Sequence, residues 1–173
     1  KTLPGVQLVQ ADYSDAAQFA AAIAGADVVV LAGHHVNPKR APMVPGLAAA
    51  ATAAGARLAV VGGAGSLFST EGGPRLFDTP EFPDAYKTEA FSAFETLQAL
   101  QKTTATEWFY VSPAGGYGKF APGERTGKYR LGGDVLVVDA EGRSYIGGED
   151  FAIAFVDEIE NPKHHNQRFT VGY

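Results

Sequence analysis

An open α/β fold, a mostly parallel sheet with helices on both faces, is what this sequence predicts, and three observations carry the prediction. Short apolar runs without polar alternation, residues 27–32 (DVVVLA), 58–61 (LAVV) and 107–112 (EWFYVS), read as strands buried on both faces. Between them lie stretches with helical spacing, of which Tyr86, Ala90, Phe94, Leu97 and Leu100 form the longest stripe. Each apolar run stops at glycine or proline: at Gly33, at Gly62 to Gly65, and at Pro113 to Gly116. In an open parallel sheet such strand ends share one edge, and that edge is where ligands bind.

Taken in order, residues 6–9 read as a short strand ending near Asp12. Ser14 or Asp15 is placed to cap the next helix, with Gln18 in a box-like position, Phe19 and Ile23 on one face and Gly25 after its end. The strand at 27–32 leads to Gly33-His34-His35, and Pro38, Pro42 and Pro45 break the chain. An alanine-rich helix, 47–54, is stopped by Gly55. After Ser66 the chain is irregular until Asp84, which is expected to cap a helix running to about Lys102. The strand at 107–112 is closed by Pro113. Short strands are expected at 128–131 and 135–138, and a turn at Glu141-Gly142 precedes Ser144-Tyr145-Ile146. A helix at 149–160 has Phe151, Phe155, Val156 and Ile159 inward and is stopped by Pro162. Residues 167–171 form the last strand. No repeat or linker interrupts this order, so one domain is expected.

Composition narrows the function classes. The 173 residues carry 14 Lys and Arg against 19 Asp and Glu, a net charge of −5. That balance argues against nucleic acid or an anionic membrane as the main partner. There is no Cys, which excludes disulfides, thiolate chemistry and cysteine-bound zinc. No apolar run reaches the 18 residues of a membrane span, and no apolar segment of signal-peptide type follows Lys1-Thr2-Leu3-Pro4. His34-His35 has no carboxylate at ligand spacing, so no metal site is expected. His164-His165 reads as a solvated loop.

Five blocks, VVGGAGSL (60–67), FPDAYKTEA (82–90), PGERTGKYRLGGD (122–134), DAEGRSYI (139–146) and the closing EDFAIAFVDEIENP with QRFTV, resemble the atypical short-chain dehydrogenase/reductases. Within these they are most similar to the single-domain NAD(P)H-binding proteins called putative NADH-flavin reductases, related to biliverdin reductase B. The resemblance implies a Rossmann-like sheet and NADP or NAD as cofactor. It implies hydride transfer to a flavin or similar planar small molecule in a cytoplasmic monomer or homodimer. A non-catalytic NAD(P) sensor of the NmrA-like kind is the alternative. The family opens with a strand, a GATGxxG-type turn, a helix and a second strand, a βαβ unit not found in this sequence. In the family's strand order, two strands separate the first one read here from the next.

The resemblance also assigns roles. Asp12 would bind the adenine amino group with Tyr13 beside the ring, although Asp12 at that place also suits the mere start of a turn. Ala32, Gly33 and His34 would lie against ribose and pyrophosphate. Gly63, Ala64 and Gly65 join the cofactor-binding backbone, without the third glycine of a dinucleotide fingerprint. Ser66 would aim its hydroxyl toward nicotinamide and substrate, or cap a loop locally. Tyr86 is the second catalytic candidate, and Lys87 beside it would be cofactor-binding. The lysine that usually follows such a tyrosine by four residues is replaced by Ala90, so Tyr86 equally suits the helix core, and Ser66 is expected to matter more. Pro113, Ala114 and Gly115 would meet the nicotinamide amide. Apart from the resemblance, the glycine-rich loop that follows, with Tyr117, Phe120, Arg125, Lys128 and Tyr129, reads as a lid or as a mobile surface loop.

Overall fold

Alternation along the strands separates two apolar cores, one on each face of a five-stranded sheet. In a computed structural model, which describes residues 3–36, 39–104, 107–119 and 121–173, the strands are β1 (Val28–Leu31), β2 (Arg57–Val61), β3 (Trp108–Ser112), β4 (Arg130–Gly132) and β5 (Gln167–Gly172). Their order is β1-β2-β3-β5-β4. The pairs β1–β2, β2–β3 and β3–β5 are parallel, and β4 runs antiparallel to β5. Leu58, Val60, Trp108 and Tyr110 face one core, whereas Ala59, Phe109 and Val111 face the other. This period of two is what a strand buried on both faces requires.

Three helices cover the first face. In α1 (Ala16–Ala22) the Asp15 carboxylate accepts the N–H groups of Ala17 and Gln18. The Gln18 amide nitrogen returns to Asp15 at 3.0 Å, and its oxygen takes the Asp12 N–H at 3.2 Å. Orphan donors at the helix start are thereby satisfied. The helix α2 (Val44–Ala54) begins earlier than its alanine run suggests. Pro45 sits in its first turn, where a missing N–H costs nothing, and Gly55 ends it with φ 70°. The helix α3 (Asp84–Gln101) starts after Pro83, and Asp84 is not its cap. Asp84 lies inside the first turn and pairs with Lys87 at 2.7 Å, which holds its carboxyl below the usual carboxylate range.

The helix α4 (Gly148–Glu160) covers the second face with Phe151, Ala154 and Phe155. Val156 points outward, contrary to its expected place, and is 47% exposed. Two expected strands are absent. Residues 6–9 carry no regular structure and leave Val6, Leu8 and Val9 exposed, so they stand apart from β1. Of residues 135–138, Val135 alone bridges, to Phe68. Neither stretch has a neighbouring strand with which to complete a ladder, and strand propensity without a partner is not enough. Pro38 and Phe120 lie outside the described residues.

At the edge where β2 begins, charged groups are packed inside. Glu158 is 4% exposed. It accepts from Arg57 Nη2 at 3.0 Å, His164 Nδ1 at 2.7 Å and the N–H groups of Lys163 and His164 at 3.0 and 2.9 Å. Arg57 also reaches Glu107 at 2.9 Å and lies over the Phe109 ring. His164 is therefore not solvated: its ring stacks on Phe169 at 4.0 Å. His165, beside it, is largely exposed and meets Glu107.

Candidate functional site

Because β1, β2 and β3 are parallel, their carboxyl ends lie on one edge. Gly33, the turn from Gly62 to Ser66, and Pro113 to Gly116 emerge there together. Asp12 and Tyr13 do not arrive on a strand. Asp12 starts a turn: its Oδ1 accepts the Ser14 hydroxyl at 2.6 Å and the Ser14 N–H at 2.8 Å. The Ser14 hydroxyl and then its N–H hold that carboxyl below the usual carboxylate range. Tyr13 packs on the first core and lines, with Ala32, Gly33 and Arg40, a largely apolar cavity of about 490 Å³ beside β1.

The glycines of the turn answer to the interior. A Cβ placed on Gly62 would lie 1.9 Å from Cε1 of Tyr110. The Tyr110 ring is fixed by its hydroxyl, which donates to the Ala93 carbonyl and accepts the Gly63 N–H, both at 3.1 Å. Burial pushes the Tyr110 phenol up to about 12, so it stays protonated. A Cβ on Gly65 would lie 2.6 Å from Cβ of Ala90. Position 90 is small because the turn packs directly on α3, and no lysine partner for Tyr86 fits at that contact.

Ser66 is 2% exposed. Its hydroxyl accepts from Arg168 Nη1 at 2.8 Å, and its carbonyl accepts from Arg75. Arg168 is held in turn by Asp134 at 2.7 Å. The hydroxyl is thus buried and held by Arg168. Tyr86 is not core: it is 49% exposed, one helical turn before Ala90 on the same face of α3. Lys87 spends its ammonium on Asp84. His34 is 87% exposed at its side chain, 3.8 Å from Glu89, and Glu89 also takes the His35 N–H at 2.8 Å. Among the described residues, no group of three or more histidines and carboxylates could hold a metal ion.

Pro113 and Ala114 are buried, and Gly115 is exposed. The Gly115 N–H donates to Ser144 Oγ at 3.0 Å, and Gly116 ladders onto residues 144–146. The loop that follows is tied down in its later half. Asp150, fully buried, accepts from the Thr126 hydroxyl at 2.6 Å, the N–H groups of Thr126 and Gly127, and Tyr173. The Thr126 and Tyr173 hydroxyls hold its carboxyl far below the carboxylate range. Tyr117 packs on Phe151, and Tyr129 donates to Asp157 at 2.5 Å. Arg125 and Lys128 remain exposed.

Arg40, Arg75, Arg168, Tyr110 and Glu89 shape this edge without having been picked out by sequence reasoning. The one available signal was Arg168, a cation inside the strand QRFTV, which demands a partner once buried. Nothing near Arg40 in the sequence announces a buried charge.

A dinucleotide fits these residues in part. The cavity beside Tyr13 and Gly33 suits an apolar ring, and Gly33 is open to a ligand. Among the described residues, no α-helix start suits a pyrophosphate: α1 is capped by Asp15, α3 and α4 carry acids in their first turns, and α2 has Pro45 there.

The comparisons agree with this geometry. A model of the NAD(P)H-binding family matches residues 1–162, and the chain belongs to that family. It is 51% identical over 117 residues to the uncharacterized protein YwnB of Bacillus subtilis (strain 168), a match spanning 66% of this chain and 54% of that protein. The crystal structure of a "putative epimerase" from Bacteroides thetaiotaomicron is 36% identical, with a TM-score of 0.84 over 97% of this chain and 80% of that one. A "putative NADH-flavin reductase" from Streptococcus pneumoniae is 29% identical, with a TM-score of 0.82 over 99% and 82%.

Proposed function

We propose that the protein is an NAD(P)H-dependent reductase that passes hydride to a flavin or similar planar small molecule. The observation that carries this reading is the convergence of Gly33, the Gly62 to Ser66 turn and Pro113 to Gly116 at the carboxyl edge of three parallel strands. Family membership and the likeness to the streptococcal protein support it. The bound cofactor supplies the hydride, and the chain supplies binding and orientation. A planar acceptor suits a site without a Tyr–Lys acid, because hydride transfer to such a ring needs no pre-tuned phenol. That same lack, with Ala90 packed on Gly65, keeps the NmrA-like sensor as a second reading.

Oxidation of NADPH or NADH in the presence of FMN separates the two. Turnover supports the reductase; binding without turnover supports the sensor. Because no helix start among the described residues is open to pyrophosphate, KM for NADPH on this chain is expected on the order of millimolar. A low micromolar value would show that another part of the chain holds the phosphates.

The burial of Ser66 and its bond from Arg168, beside the exposure of Tyr86, support ranking Tyr86 above Ser66. Tyr86→Phe is expected to lower kcat/KM by about tenfold, short of the 10² or more of a tuned general acid. Ser66→Ala should leave kcat/KM within about threefold and instead lower stability by about 1.5–3 kcal/mol, as loss of a bond to a charged group does. Steady-state kinetics beside urea denaturation checks both. A kinetic loss in Ser66→Ala larger than in Tyr86→Phe would put the serine back at the reacting atoms.

A further inference from the structure

Arg40 is a buried cation with an unusual set of partners. It is 2% exposed, and among the described residues it forms no ion pair with a carboxylate. An unpaired charge at that depth costs several kcal/mol unless other groups compensate it. Here the compensation comes from backbone carbonyls at the end of β1, together with a hydrogen bond to the Tyr13 side chain and the more distant Glu89 charge. Nη1 donates to Leu31 at 3.5 Å, and Nη2 donates to Gly33 and, at 3.3 Å, to His34. One planar fork therefore gathers three carbonyls of the segment that leaves the sheet at the candidate site.

The consequence lies on the other side of each peptide. In a trans peptide the C=O and the following N–H point in opposite directions. With the Gly33 carbonyl drawn in toward Arg40, the His34 N–H is turned out. The His35 N–H, the next donor, is taken by Glu89. The His34 N–H has no acceptor among the described residues, and its residue is exposed.

We propose that Arg40 is a positioning residue for nucleotide binding: by holding the Gly33 carbonyl it presents the His34 N–H to a phosphate oxygen of a nucleoside diphosphate. This rests on the chain being nucleotide-binding. Arg40 does not touch the phosphate. Its buried charge lies behind the peptide it orients, and both favour an anion over a neutral nucleoside.

The test compares ADP with adenosine by backbone-amide NMR on the whole 173-residue chain at millimolar ligand. The His34 amide is expected to shift with ADP and not with adenosine. Arg40→Met is expected to weaken ADP by about tenfold or more beyond any loss it causes for adenosine, the loss of one hydrogen bond to a charged group. Arg40→Lys, which keeps the charge and loses the fork, should fall between the two. Equal losses for ADP and adenosine in Arg40→Met would reduce Arg40 to a structural role and overturn the proposal. Should Arg40→Met not fold, the wild-type amide still decides. ADP binding with the His34 amide unmoved removes the proposal and leaves nucleotide binding intact. Absence of any binding of ADP, adenosine or NADPH removes both.

Discussion

Gly62→Ala is expected to cost about 3 kcal/mol of stability, at the upper end of what an extra methyl group costs in a packed core. The added Cβ would meet three atoms of the Tyr110 ring, at 1.9, 2.2 and 2.7 Å. The ring is fully buried and held at its far end by Ala93 and Gly63, so it has nowhere to move. Gly63→Ala is the control, because its nearest neighbour would be the Ala93 methyl at 3.3 Å and a small shift relieves that contact. Urea denaturation of both variants gives the comparison. An unchanged midpoint for Gly62→Ala would show that the turn is free to move. Gly62→Ala with Tyr110→Leu should recover part of the loss, because the clash and the ring disappear together.

The same turn shows what was legible in the sequence and what was not. An apolar strand followed by glycines marks a place where something comes close to the backbone. The sequence suggested a ligand; in the fold, Tyr110 and Ala90 come close. Local pattern registers the need for a small residue and is silent about which neighbour imposes it. The sheet was legible because β2 and β3 are apolar runs buried on both faces, as inner parallel strands are, while β1 at the edge leaves Val30 exposed. Residues 6–9 show the limit: strand propensity is high, but a strand exists only with a partner. The burial of Ser66 and the exposure of Tyr86 were not legible, for one reason. The surroundings of a side chain depend on residues distant in sequence, here Arg168, which binds the Ser66 hydroxyl from β5.

Glu158→Gln is expected to lower stability at pH 7 by about 3 kcal/mol, because it removes the buried one of the two carboxylates that Arg57 meets and leaves the donors gathered there without a charged acceptor. The carboxylate is nearly inaccessible and holds four donors from three residues. Burial alone would raise its pKa. The N–H and ring of His164, the Lys163 N–H and Arg57 outweigh that and hold it at about 2, against 4.5 for the ordinary group. With the folded value depressed, the stabilisation is complete above about pH 4.5 and disappears as pH falls toward 2. His35 adds an earlier loss. Burial, followed by the Arg40 charge, lowers its imidazole to about 4 from 6.5. The unfolded chain therefore binds a proton that the folded one refuses, and stability falls as pH drops through that interval. That loss is common to the wild type and the variant, so the difference between them isolates Glu158. Urea midpoints measured from pH 7 down to pH 2 should show a gap that is constant to about pH 4.5 and then closes. A gap that stays constant down to pH 2 would mean that the carboxylate is not the form these donors hold.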